Sequence, residues 1–168
     1  CMEFLQTNLI YLIPILGLIG ILVMISKSIW VAKQDAGDAN MVELAGYIAD
    51  GSMAFLKAEW KILALFVIPT TVLLGWSGTL GHNSHWLIAV AFIIGAISSA
   101  FAGYIGMNIA TKANVRTTQA ARTSLKQALK VSFAGGTVMG LGVAGLALLG
   151  LGSLFIVFYY KFVVNVGA

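Results

Sequence analysis

Four long runs free of charged residues divide the chain: Phe4–Ser26, Ile62–Gly81, Trp86–Thr111 and Val131–Tyr160. Each meets the requirement of about 20 apolar residues for a helix that crosses a hydrocarbon core of about 30 Å. Strands of a closed barrel would alternate and be half as long. The pattern predicts an all-α membrane protein with four long transmembrane helices, over about 4–31, 41–76, 86–112 and 117–161. All four belong to a single transmembrane helical region, 1–168.

Two of the helices outrun a bilayer. From residue 41 to residue 76 no stop signal interrupts the pattern; Gly51 weakens it and Pro69 is tolerable in a membrane helix. Asp38 or Asn40 can cap its start. Its length would be roughly 54 Å, about 20 Å more than the core requires. The surplus is amphipathic. Leu44, Ile48, Phe55 and Leu56 recur at helical spacing, with Glu43, Asp50 and Lys57 on other faces. If the fourth helix starts near Asn114–Thr117, then Arg122, Lys126 and Lys130 form one cationic stripe, opposite Ala121, Leu125 and Ala128. The apolar side of this overhang is expected to pack against the overhang of the second helix.

Composition closes off the soluble class. The 168 residues are 60% hydrophobic and 10% charged, too apolar for a water-exposed domain of this size. The net charge of +4 matters less than where it lies. Lys27, Lys33, Lys57 and Lys61 separate the first two runs, and Lys112, Arg116, Arg122, Lys126 and Lys130 separate the last two. The link "SGTLGHNSH" has no Lys or Arg, and none precedes the first run. The positive-inside rule puts both basic links in the cytoplasm and both chain ends outside. Trp76, Trp86, Tyr159 and Tyr160 stand where interfacial anchors are expected. Met2 reads as the native start, with Cys1 an added residue; an N-terminal reactive or lipidated cysteine is the lesser alternative. A single cysteine excludes an internal disulfide.

Small residues recur in the third and fourth runs. Gly95, Ser99 and Gly103 form one row, and Ser98, Ala102, Gly106 and Ala110 a second. Gly136, Gly140 and Ala144 form another, with Gly135, Gly142, Gly145 and Gly152 nearby. Such rows allow close helix approach in lipid, here among these helices or against helices outside the chain. Met24, Met53, Met107 and Met139 read as packing residues. No HExxH, GxxxxGK[ST] or GxSxG motif and no paired carboxylate cluster occurs. His82 and His85 lack further ligands for zinc and read as polar loop residues. Glu59 has no opposite charge four residues away and reads as a solvated or inter-helix paired group. No residue is assigned a catalytic, cofactor-binding or metal-ligating role, and no nucleic-acid partner is expected.

Three separated segments carry a family likeness. "GMNIATKANVRTTQAAR" (Gly106–Arg122) resembles the GMxxAtxANvRtxxAAr segment of the membrane-integral, ion-translocating inorganic pyrophosphatases. "IADGSMAFLKAEW" (Ile48–Trp60) resembles that family's IxxGAxAFLxxEY segment, with Ser52 for Ala and Trp60 for Tyr. "ALKVSFAGGTVMGLGVAGLALLGL" (Ala128–Leu151) resembles a third, glycine-rich span. The resemblance implies a pyrophosphate-energised proton or sodium pump that uses magnesium and, in some subclasses, potassium. It also implies a homodimer in the cell (inner) membrane, N-terminus outside. Members have many more membrane helices than four, and the aspartate-rich motifs of the DVGADLVGK and DNxGD kind belong to later ones. The resemblance therefore makes this chain a non-catalytic N-terminal fragment, the outer-ring portion of a larger helical bundle, whose partners are the bilayer and the remaining helices. Whether the chain is an enzyme by itself stays open on the residues alone.

The alternative is a stand-alone four-helix membrane protein that binds anionic lipid or a partner membrane protein through its basic segment, at about 1 kcal/mol per basic residue. The charge asymmetry makes one direct prediction. With Cys1 replaced by serine, a cysteine at Asn83 is labelled from outside the cell by an impermeant maleimide; labelling from the cytoplasmic side alone would reverse the orientation.

Overall fold

A computed structural model describes residues 2–80 and 86–160. The protein is all-α, with helices α1 (Met2–Ala32), α2 (Ala39–Leu80), α3 (Leu87–Ala121) and α4 (Leu125–Phe158). Each helix is long and apolar enough to cross a membrane. The 42 residues of α2 make it about 63 Å long, twice a hydrocarbon core. Links 33–38 and 122–124 lie together at one end, the basic end, where Arg116 of α3 reaches Gln34. His82 and His85 lie outside the described residues.

Local chemistry sets the helix boundaries. Asp38 caps α2, its Oδ1 accepting from the Met41 N–H at 3.0 Å. Gly37 precedes it at φ +90°, a conformation in the left-handed region that side chains resist. The α3–α4 boundary differs from the expected one. Helix α3 does not end near residue 112 and α4 does not start near Asn114–Thr117; the break falls at 122–124. Nothing in "KANVRTTQAA" stops a helix, so α3 runs on to Ala121. Ser124 is extended (φ −162°, ψ 139°), and its Oγ accepts from the Gln127 N–H at 3.1 Å. Ser124 and Gln127 have the spacing of a capping box. Arg122 therefore closes α3, while Lys126 and Lys130 belong to α4, so the three do not form one stripe on one helix.

Helix α3 is the hub. Among the described residues it packs on all three other helices, whereas α2 packs on α3 alone and α4 lies between α1 and α3. The expected contact between the overhangs of α2 and α4 is absent, because the extended α3 supplies the surface that each of them uses. The core is small and apolar: Met24 and Val31 of α1, Ile109 and Ala113 of α3, and Ala134 and Val138 of α4. No polar side chain is counted as buried among the described residues.

The small residues sort into two sets. Gly135, Gly142, Gly145 and Gly152 are buried on α4. Met24 of α1 lies over Gly142, and Met139 of α4 lies against Gly106 of α3. At Gly17 of α1 an added Cβ would stand 2.9 Å from the Leu149 nitrogen and 3.0 Å from the Gly145 oxygen, so the two backbones touch there. The other set, Gly95, Gly103, Gly136 and Gly140, has nothing within 4 Å of an added Cβ.

This contrast is measurable. Gly17→Ala should destabilise the α1–α4 pair by about 1–3 kcal/mol, because backbone cannot move aside as a side chain can. Gly51→Ala, on an open face of α2, should stabilise by about 0.5–1 kcal/mol through helix propensity. Melting temperatures in detergent should move in opposite directions.

Candidate functional site at the basic end

Helix α3 presents Arg116, Gln119 and Arg122 at i, i+3 and i+6, along one side of its last two turns. All three reach the link between α1 and α2. The Arg116 guanidinium donates from Nη2 to the Ala32 carbonyl and from Nε to the Gln34 carbonyl, both at 3.1 Å. Its Nη1 donates to the Lys112 carbonyl of α3 at 2.9 Å, which holds the side chain in place. The Gln119 amide donates to Asp35 Oδ2 at 2.9 Å. Arg122 Nη1 donates to Asp38 Oδ2 at 3.1 Å and to Gln119 Oε1 at 3.3 Å.

Each contact meets a need left by the fold. Helix α1 ends at Ala32, and its last carbonyls lack intrahelical donors. Arg116 supplies one, and the Gln34 amide supplies another by donating to the Trp30 carbonyl at 3.0 Å. A guanidinium also complements the negative end of the helix dipole. The planar fork presents donors to two carbonyls in a fixed geometry, whereas a lysine would have to order a flexible stem to reach both. The Arg122–Asp38 ion pair is half exposed on both sides and adds little by itself.

Both aspartates of the link are held ionised. The Gly37 backbone N–H and then the Gln119 amide lower the Asp35 pKa from its ordinary 3.8. The Met41 backbone N–H and then Arg122 do the same for Asp38. Beside this clasp lies an open cavity of about 390 Å³ between the ends of α1 and α3 and the start of α4. Arg116, Gln119, Asp35 and Lys130 line it, and the Lys130 ammonium stands 5.2 Å from the centre of the Trp30 ring.

The structure thus gathers Arg116, Arg122 and Lys130 around one link, whereas Lys112 and Lys126 are exposed beside it. Glu43 accepts from the Tyr47 hydroxyl at 2.8 Å, within α2. Asp50 and Glu59 are exposed elsewhere on α2. Among the described residues no three His, Cys, Asp or Glu side chains converge as metal ligands. The sequence reading overlooked Gln34, Gln119 and the clasping role of Asp35. The available signal was the i, i+3, i+6 spacing of Arg116, Gln119 and Arg122, opposite a link with two aspartates.

Four membrane-length helices joined at a polar clasp define an integral membrane protein. Its relatives narrow the class. The family profile described as "Inorganic H+ pyrophosphatase" matches residues 18–166. The chain is 48% identical over 125 residues to a putative K(+)-stimulated pyrophosphate-energized sodium pump of Clostridium tetani; the match covers 74% of this chain and 18% of that one. It is 42% identical over 151 residues to a K(+)-insensitive pyrophosphate-energized proton pump of Methanosarcina mazei, covering 90% and 22%. It is also 43% identical over 130 residues to a K(+)-stimulated pyrophosphate-energized sodium pump of Thermotoga maritima, covering 76% and 17%. The chain belongs to the inorganic H+ pyrophosphatase family, and spans about a fifth of the length of the curated relatives it matches.

Two variants test the clasp. Arg116→Ala leaves the Ala32 and Gln34 carbonyls without their donor and should cost about 1–3 kcal/mol; Arg116→Lys should recover less than half of that. Asp38 has a lowered folded pKa, so its contribution is complete above the ordinary carboxylate value and is lost as pH falls through the folded value. The gap in melting temperature between the parent and Asp38→Asn should therefore be widest near neutral pH and close on acidification below 3.8.

Proposed function

We propose that this chain is the N-terminal four-helix section of a pyrophosphate-energised ion pump, and that its part in the pump is structural. The observation that carries the reading is the match over most of this chain to about a fifth of each relative. In this reading the rest of the polypeptide holds pyrophosphate, magnesium and, where used, potassium. The whole works as a homodimer in the cell membrane, with the N-terminus outside and the clasp in the cytoplasm.

Two features support a structural role. The chain is similar to a relative named as a sodium pump and to one named as a proton pump, at 48% and 42% identity. A segment that resembles both kinds so closely fits a scaffold shared between them better than an ion selector. Its described chemistry is also unsuited to phosphoryl transfer, which relies on metal ions held against the substrate oxygens and an oriented nucleophile. Magnesium takes carboxylates. Here Asp35 and Asp38 are engaged by the clasp, and Glu43, Asp50 and Glu59 are spread along α2. Asp50 and Glu43 are separated by about 10 Å along the helix, too far to chelate one ion.

The test is enzymatic. The purified 168-residue chain should release no phosphate from magnesium pyrophosphate above a matched blank. A polypeptide encoded by the same gene and continuing past residue 168 should hydrolyse it and drive proton or sodium uptake into vesicles. Hydrolysis by the short chain, abolished by Asp50→Asn, would overturn the structural role.

A further inference from the structure

The open cavity beside the clasp, of about 390 Å³, falls within the roughly 300–1,000 Å³ of small-molecule sites. The clasp leaves it with chemistry of its own. Two cations line it, Arg116 and Lys130, against one carboxylate, Asp35. Arg116 is committed to three carbonyls. Both Asp35 oxygens are occupied, Oδ1 by the Gly37 N–H and Oδ2 by the Gln119 amide. Among the described residues the one ion pair joins Arg122 to Asp38, so the Lys130 ammonium has no carboxylate partner. It is exposed and stands over the Trp30 ring instead. Gln127 lines the cavity one turn earlier on the same face of α4. Its Oε1 accepts from the Thr123 hydroxyl at 3.5 Å, which leaves the side-chain amide N–H groups unpaired among the described residues.

Depth decides which anion meets these donors. Lys130 is the last charged residue before the uncharged run Val131–Tyr160. From Lys130 to Tyr159, the C-cap of α4, the helix rises about 44 Å. A bilayer with both headgroup layers is about 40–45 Å thick. With the tyrosines at one interface, Lys130 stands in the headgroup layer of the other. Trp30 lies at the same level, near the end of the apolar span Ile10–Ala32 of α1.

We infer that this cavity holds the phosphodiester of an anionic glycerophospholipid, gripped by Lys130 and Gln127. The inference depends on the membrane setting of the chain and not on the pump reading. Two cations against one carboxylate leave a single positive charge, which one net negative headgroup balances. A zwitterionic headgroup would bring its own ammonium or choline. The natural seat for that group is the face of Trp30, and the Lys130 ammonium already holds it. A free inorganic phosphate meets the same donors but has no acyl chains to keep it at this depth.

The experiment uses the polypeptide as expressed from its gene, reconstituted in phosphatidylcholine vesicles. These hold a minor share of a phosphatidylglycerol with a diazirine in its headgroup. Irradiation should place adducts on the peptides that carry Trp30 or residues 127–131. Unlabelled phosphatidylglycerol should suppress them, whereas further phosphatidylcholine or inorganic phosphate should not. Lys130→Gln should lower the yield about tenfold, as expected for loss of one charge-assisted hydrogen bond. Lys130→Arg keeps the charge and should keep the adducts. Lys126→Gln, outside the cavity lining, should change the yield little. Equal losses at Lys126 and Lys130 would mean diffuse surface charge and would overturn the site. Suppression by inorganic phosphate, equal competition by phosphatidylcholine, or no adduct on these peptides would overturn it as well.

Discussion

The Arg116 guanidinium is the contact on which the arrangement depends. It ties the carbonyl end of α1, and the first residues of the link after it, to the last turns of α3. Without that tie, the Ala32 and Gln34 carbonyls lose their donor, and the link is held to α3 only through its aspartate side chains, by Gln119 and Arg122. With it, the two connections at the basic end share one polar cluster, and α3 is set in register against both α1 and α2. The apolar packing below then follows. Val31, fully buried one residue before the capped carbonyl, sits in the same core as Ala113, three residues before Arg116. A polar clasp at the end of the bundle thus aligns a dry contact inside it.

Packing inside the membrane works by the opposite chemistry. There the chain uses absence of side chain rather than hydrogen bonds. Gly17 and Gly145 let α1 and α4 meet at backbone distance, and Met24 and Met139 fill the space over Gly142 and Gly106. These contacts use only part of the small-residue inventory. The glycines that remain open on α3 and α4 lie away from the small core that these two helices share with α1. Helix α2 underlines this: it leans on α3 alone and exposes most of its apolar residues.

Much of this was legible in the residues, and the failures have physical reasons. Uninterrupted apolar runs located four helices, because a bilayer demands length and tolerates no charge. Asp38 was readable as a cap because its side chain acts on its own neighbours. The α3–α4 boundary was not placed correctly. Hydropathy changes near Lys112, but a helix leaving a membrane has no reason to stop where its solvent changes; Ser124 stops it, through a local hydrogen bond to Gln127. The partner of each overhang was misread for a related reason. Amphipathy tells which face of a helix wants cover. It does not tell which of several helices supplies it, and an α3 that runs nine residues past its expected end at 112 left no direct contact between α2 and α4. The clasp was missed because its acceptors are mostly backbone carbonyls and link carboxylates, whose positions depend on the fold.

The basic segment that continues α3 out of its apolar run therefore has a role that charge counting alone would not assign. Lys112 and Lys126 remain exposed to whatever anions are near. Arg116 and Arg122, however, are spent on internal acceptors, and Lys130 rests against Trp30. A guanidinium already engaged with three carbonyls, as Arg116 is, has little left with which to grip a phosphate. The same reasoning explains why arginine suits residue 116: three carbonyls are met from different nitrogens of one rigid fork, which loses less freedom in the task than an ammonium on a flexible stem.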